Sequence, residues 1–244
     1  MEPFSLARPS WWSDGKSPPV ASSGKGRAVM RDASALSRRK LLALGVAAAA
    51  VPGSAARASL LPTPRQTAGP FYPEVEPLDA DADLVRVAGQ GEAAKGTPTH
   101  VLGRVLDRGG HAIASARVEI WQCDAFGIYH HPLDSAHRGR AADPTFQGYG
   151  RTTSGEDGSY RFRTIRPVAY PGRTPHIHFA VTAPDGASLI TQMYVAGEPL
   201  NETDVVLGRI RDPAERARVI VPLTGAGPGE PGELIGLFDI VLGA

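Results

Sequence analysis

From Thr99 to Leu242 the chain is written in short runs that alternate apolar and polar residues, each ended by a glycine- or proline-rich turn. "THVLGRVLD" begins at Thr99 and "ARVEIWQCD" at Ala116, with a Gly109-Gly110 turn between them. A period of two is the pattern of strands, and runs of this length are too short for typical helices. The pair reads as a hairpin or a short β-arch. Further strand candidates are 159–165, 176–183, 188–196, 218–223 and 235–242, with "EDGS", "APDG" and "GAGPGEPG" as turns between them. The 28 glycines and 22 prolines supply this punctuation. One short helix is expected, at Pro213 to Arg218. The pattern predicts an all-β fold, an antiparallel β-sandwich core with long loops and little helix.

The regions before Thr99 read differently. Residues 1–33 are rich in Ser, Gly, Pro and Lys without an apolar period, the composition of a disordered leader or of a start placed too early, with Met30 as the alternative start. Residues 34–58 run from Arg38-Arg39 through an apolar stretch, Leu41 to Val51, to Ala56-Arg57-Ala58. Charge, apolar core and A-x-A site describe an export signal, and the twin arginine resembles a Tat signal. The apolar run is short of the roughly 20 residues that span a bilayer. The expected location is therefore periplasmic or extracellular, with no stable membrane insertion after signal cleavage. Residues 59–98, with "TAGPFYPEVEP" from Thr67, are too proline-rich for a helix and read as an extended arm leading into the domain at 99–244.

Charge narrows the function. The chain has 26 Lys/Arg and 25 Asp/Glu, and residues 1–58 hold nine and three of them. Residues 59–244 therefore carry 26 − 9 = 17 positive and 25 − 3 = 22 negative side chains, and Lys95 is their one lysine. That balance argues against a nucleic-acid-binding surface. A single cysteine, Cys123, excludes an internal disulfide framework despite the export signal.

Three clusters can carry chemistry. His176 and His178 in "HIHF" share one face of a strand, about 7 Å apart, and can reach one metal ion. On spacing alone the same pair also suits a solvated strand face. "WQCDAFGIYHHP" ends a strand near Cys123 and presents Tyr129, His130 and His131 from a loop, the last two placed to line the mouth of a site. "FRTIRPVAYPGRTP" places Tyr170 and Arg173 just before the histidine strand, with prolines holding the backbone extended. His100, His111 and His137 read as solvated side chains.

Together "VEIWQCDAFGIYHHP", "FQGYGRT", "GSYRFRTIRPVAYP", "GRTPHIHF" and "TQMYVAGEP" resemble the intradiol ring-cleavage dioxygenases, most of all the protocatechuate 3,4-dioxygenase type of catalytic subunit. The resemblance covers about residues 67 to 242. It implies non-haem Fe(III) held by Tyr129, Tyr170, His176 and His178. Phenolate oxygen suits a hard cation. It further implies O2-dependent cleavage of a catechol-type substrate between its two hydroxyl-bearing carbons, with both oxygen atoms entering a cis,cis-muconate-type diacid. Tyr170 corresponds to the axial tyrosine that leaves the metal and accepts a substrate proton. Arg173 matches the arginine that stabilises charge on the substrate ring, and Gln192 a polar residue beside the substrate. Only five residues separate Tyr170 from His176, where the protocatechuate enzymes carry a longer, substrate-shaping loop. The helical N-terminal region of catechol 1,2-dioxygenases is missing, which argues against their helix-mediated dimer while leaving room for another homo-oligomer. Two competing readings are a transthyretin-like binding module without metal and a zinc or copper β-sandwich.

Overall fold

The computed structural model describes residues 59–75, 77, 79–134, 139, 141–225 and 231–243. The leader, the twin-arginine segment and His137 lie outside the described residues. Among the described residues there are ten strands: β1 (Pro98–Leu106), β2 (Arg117–Trp121), β3 (Tyr149–Thr153), β4 (Ser159–Ile165), β5 (His176–Thr182), β6 (Ser188–Val195), β7 (Ile220–Val221), β8 (Thr224–Gly225), β9 (Leu234–Leu237) and β10 (Ile240–Val241). The α-helix α1 (Pro213–Ala217) starts where Asp212 accepts hydrogen bonds from the Ala214 and Glu215 backbone and proline occupies the first turn, and a further helical turn covers residues 132–134.

The strands form two five-stranded sheets. In the first, β1 pairs β4 on one side and β9 and β10 on the other, with β8 beyond β9. The second runs β3-β2-β5-β6-β7. Both are mixed rather than purely antiparallel: β1 pairs β9 and β10 in parallel, and β6 pairs β7 in parallel. A parallel pair needs a crossover, and these partners come from distant parts of the sequence, which local periodicity does not register. β1 and β2 lie in different sheets, so the connection between them is an arch, although the Gly-Gly turn itself closes a short antiparallel bridge from Leu106 to Ala112 before the chain crosses. β3 escaped the sequence reading because "YGRTT" is short and glycine-interrupted.

The core fills the space between the sheets. Val118 and Ile120 of β2, Ile177, Phe179 and Val181 of β5, and Leu189 and Met193 of β6 pack against Val101, Tyr160, Phe162, Phe238 and Ile240. Phe179 bridges the layers, its ring 5.1 Å from Phe238 and 6.1 Å from Tyr160. Each apolar run spends alternate residues on this interior, so the intervening residues face outward.

On the outer face of the first sheet His100 is 1% exposed, against the expectation of a solvated side chain. Its Nε2 lies 2.7 Å from Glu233, Arg161 approaches its Nδ1 at 3.2 Å, and Arg163 holds the other Glu233 oxygen at 2.7 Å. Glu233 comes from the far end of the chain, so sequence could not supply the partner that makes burial affordable. His111, by contrast, lies at the surface, paired with Asp107 at 2.9 Å.

Candidate metal centre

At the end that carries Trp121, His178 and Gln192 the outer face of the second sheet is buried, under the arm and two loops rather than a second sheet. β2, β5 and β6 align Trp121, His178 and Gln192 in one row, with Tyr194 beside His176 in the next. Trp121 stacks on His178 with centroids 4.8 Å apart and planes 9° apart. A second aromatic cluster forms here from Trp121, Cys123, Tyr129 and Tyr149, with Phe71, Val168 and Tyr170 packed against it.

Tyr129 reaches this face from the loop after β2. Asp124, fully buried, accepts from the Phe126 and Ile128 backbone through one oxygen and from Asp143 through the other. Asp134 accepts from the Tyr129 backbone at 2.7 Å. Gly127 turns this loop at φ +75°, and a Cβ there would lie 3.2 Å from that of Tyr170. Only glycine combines that backbone with so close an approach.

Tyr170 and Arg173 are the ends of a β-turn, with the Arg173 amide donating to the Tyr170 carbonyl at 2.9 Å. Pro171 and Gly172, the latter at φ +82°, fill the two central positions as a type II turn requires. The short loop is therefore a tight device that sets a phenol and a guanidinium side by side.

The four predicted ligands converge. Centroids are 5.7 Å apart for Tyr129 and Tyr170, 6.2 Å for Tyr129 and His178, 5.5 Å for Tyr170 and His176, and 4.9 Å for the two histidines. The Tyr129 hydroxyl stands 3.4 Å from His176 Nε2, a spacing at which two donors can share one cation. His176 Nδ1 donates to the Thr174 carbonyl at 2.7 Å, which leaves Nε2 as the lone pair facing the tyrosines. His178 Nδ1 is buried without a hydrogen-bond partner.

The titration shifts have a common origin. Burial, reinforced by the Arg173 charge, lowers His176 to about 4. Burial, then His176 and Arg173, places His178 well below its usual value. Both imidazoles are thus neutral and able to ligate. Burial raises Tyr129 well above the ordinary phenol range and raises Tyr170 in part, Arg173 opposing it. These phenols stay protonated unless a cation joins them. Cys123, pushed by burial up to about 12, keeps its thiol proton and donates weakly to Val168.

Arg173 and Gln192 sit beside this cluster. Arg173 donates to Gln192 at 2.6 Å and to Asp204 at 2.9 Å. Gln192, fully buried, also accepts from Tyr194 at 3.0 Å and donates to the Thr67 carbonyl at 2.9 Å. His131 is buried near the ring of Phe71, at 5.7 Å, while His130 turns away to Phe146, at 6.2 Å. Phe71 of the arm stacks on Tyr129 at 4.7 Å. Sequence reasoning did not single out Phe71, Trp121, Asp124, Asp134 or Asp204. The "GPFYP" and "WQCDAFG" stretches contain the first three, and Asp204 carried no local signal.

A family model described as "Dioxygenase" matches residues 67–242. The protocatechuate 3,4-dioxygenase beta chain of Burkholderia cepacia is 37% identical over 187 residues, covering 73% of this chain and 78% of its own. The hydroxyquinol 1,2-dioxygenase of Nocardioides simplex is 33% identical over 198 residues, and the match covers 71% of this chain and 62% of that enzyme. Among solved structures, the dioxygenase domain of a dioxygenase carbohydrate-binding protein fusion from the cellulolytic bacterium Streptomyces sp. SirexAA-E is 34% identical, with a TM-score of 0.56 over 74% of this chain and 97% of that domain.

Proposed function

The chain belongs to the intradiol ring-cleavage dioxygenase family, and from that premise we propose that Tyr129, Tyr170, His176 and His178 hold a non-haem ferric ion for cleavage of a catechol-type substrate. The observation that carries the reading is the donor set. Two phenols and two neutral imidazoles meet in a buried place, and the nearby thiol remains protonated. A hard trivalent cation favours such oxygen donors, whereas zinc sites draw on thiolate, imidazole and carboxylate.

Held by Tyr129, Tyr170, His176 and His178, a ferric ion would supply the Lewis-acid and redox chemistry that lets a catechol react with O2. The bond between the two hydroxyl-bearing carbons breaks, both oxygen atoms enter the product, and a diacid results. Tyr170, less buried than Tyr129, is the phenol able to move and to take a substrate hydroxyl proton at its Oη. Arg173 presents a permanent cation where negative charge builds on the ring, held in advance by Gln192 and Asp204. Phe71 and Trp121 keep water from the ligand side.

Metal analysis and the visible spectrum test this reading. About one iron per chain and a burgundy tyrosinate-to-iron band are expected; a colourless protein saturated with zinc would sink it. Oxygen uptake against protocatechuate, catechol and hydroxyquinol then identifies the ring substituents. The Arg38-Arg39 motif and the apolar run after it support export of the chain by the Tat route to the periplasm or beyond. N-terminal sequencing of the exported protein checks this, with cleavage after Ala58 expected.

A further inference from the structure

We infer that Asp204 is a positioning residue that ties the cation of the site to its first histidine. The inference deepens the iron reading above and rests on it for its catalytic consequence. Asp204 lies between two 3-10 turns, Pro199–Glu202 and Leu207–Arg209, and its side chain is wholly buried. Its oxygens divide four N–H donors. Oδ1 accepts from Val206 at 2.9 Å and Leu207 at 2.8 Å, which anchors the carboxylate in its own turn. Oδ2 accepts from Arg173 Nε at 2.9 Å and from the Thr174 backbone at 3.0 Å.

Both Oδ2 partners lead into the site. Arg173, with Nε fixed, can only swing its remaining nitrogens about that anchor, and Gln192 takes one of them at 2.6 Å. Thr174, held at its amide, offers its carbonyl to His176 Nδ1 at 2.7 Å, the contact that sets the tautomer. Its hydroxyl donates to Asn201 at 2.7 Å, from the same 3-10 segment. One carboxylate therefore orients the group that meets substrate charge and the residue that orients a ligand. A buried guanidinium also requires a counter-charge, which Asp204 supplies.

Asp204→Asn tests this. A carboxamide has one acceptor oxygen, so two of the four donors must face an NH2 group whichever way it turns. The primary readout is nitrogen-15 NMR of the full iron-free chain. In the wild type, the Arg173 Nε–H should be protected from exchange and His176 should show a single Nδ1–H tautomer. In the variant, protection should fall and the tautomer signals should shift. With iron loaded, kcat should drop about 10- to 100-fold while iron content stays near the wild-type level. In an Arg173→Ala background the same substitution should cost less than it does in the wild type, the remainder passing through Thr174 and His176. An Arg173 Nε–H that exchanges as in free arginine, a mixed His176 tautomer in the wild type, or fully multiplicative losses in the double variant would each overturn the inference. Should Asp204→Asn not fold, the wild-type measurements decide alone. A wild type that binds no iron, yet shows both NMR signals, would defeat the iron reading and leave the role of Asp204 standing.

Discussion

On one face of β5, Ile177, Phe179 and Val181 meet the apolar residues of the opposite sheet. On the other, His176 and His178 meet Trp121, Tyr129 and Tyr170 beneath a loop and an arm. Both faces are dry. The inner face gains stability from every group it buries, because transfer of apolar surface from water is favourable. The outer face buries nitrogen and oxygen atoms that ordinary packing leaves underused, including an unpartnered His178 Nδ1. One strand thus does two jobs on adjacent residues. Its inner side chains fix the backbone, and that rigidity places the imidazoles.

Substitutions can break this division. His178→Ala should abolish the visible band and lower iron affinity by more than about 100-fold, beyond the usual cost of altering a residue behind a ligand; metal titration reads it. The iron-free chain should nevertheless remain folded by circular dichroism. Phe179→Ala, one residue on, should cost about 3–5 kcal/mol in chemical unfolding, and iron should be lost only as the fold is lost. Equal effects of the two on iron-free stability would erase the distinction between the faces.

Acid should sharpen the comparison. In the iron-free chain His176 titrates near 4, while an unfolded histidine titrates near 6.5. The unfolded state then binds the extra proton between those values, so stability contributed at neutral pH declines as pH falls through that window. The loss should be on the order of 3 kcal/mol, and His176→Gln should flatten the curve of unfolding free energy against pH. Smallest of all, His111→Ala, at the exposed turn after β1, should change stability by less than about 0.5 kcal/mol.

Much of the site was legible because its residues occur in three compact stretches. "HIHF" declares its two faces through a period of two, and "YPGR" spells a type II turn that the structure contains. Tyr129 and Gln192 fell within motifs of the resemblance. His100 was misread because its partner Glu233 is 133 residues away. Asp204 was invisible for the same reason: its importance lies in donors 30 and 31 residues earlier. The parallel pairing of β1 with β9 and β10 likewise joins the two ends of the domain.

The sequence by itself determined the strand periodicity, the turns and the chemical types that could serve as ligands, since each depends on neighbours within a few residues. Only the tertiary structure decided which phenols face which imidazoles, which carboxylates are spent on holding a loop, and which histidine is dry. Those outcomes depend on desolvation and hydrogen bonding between segments far apart in the chain, and such terms exist only once the sheets have packed.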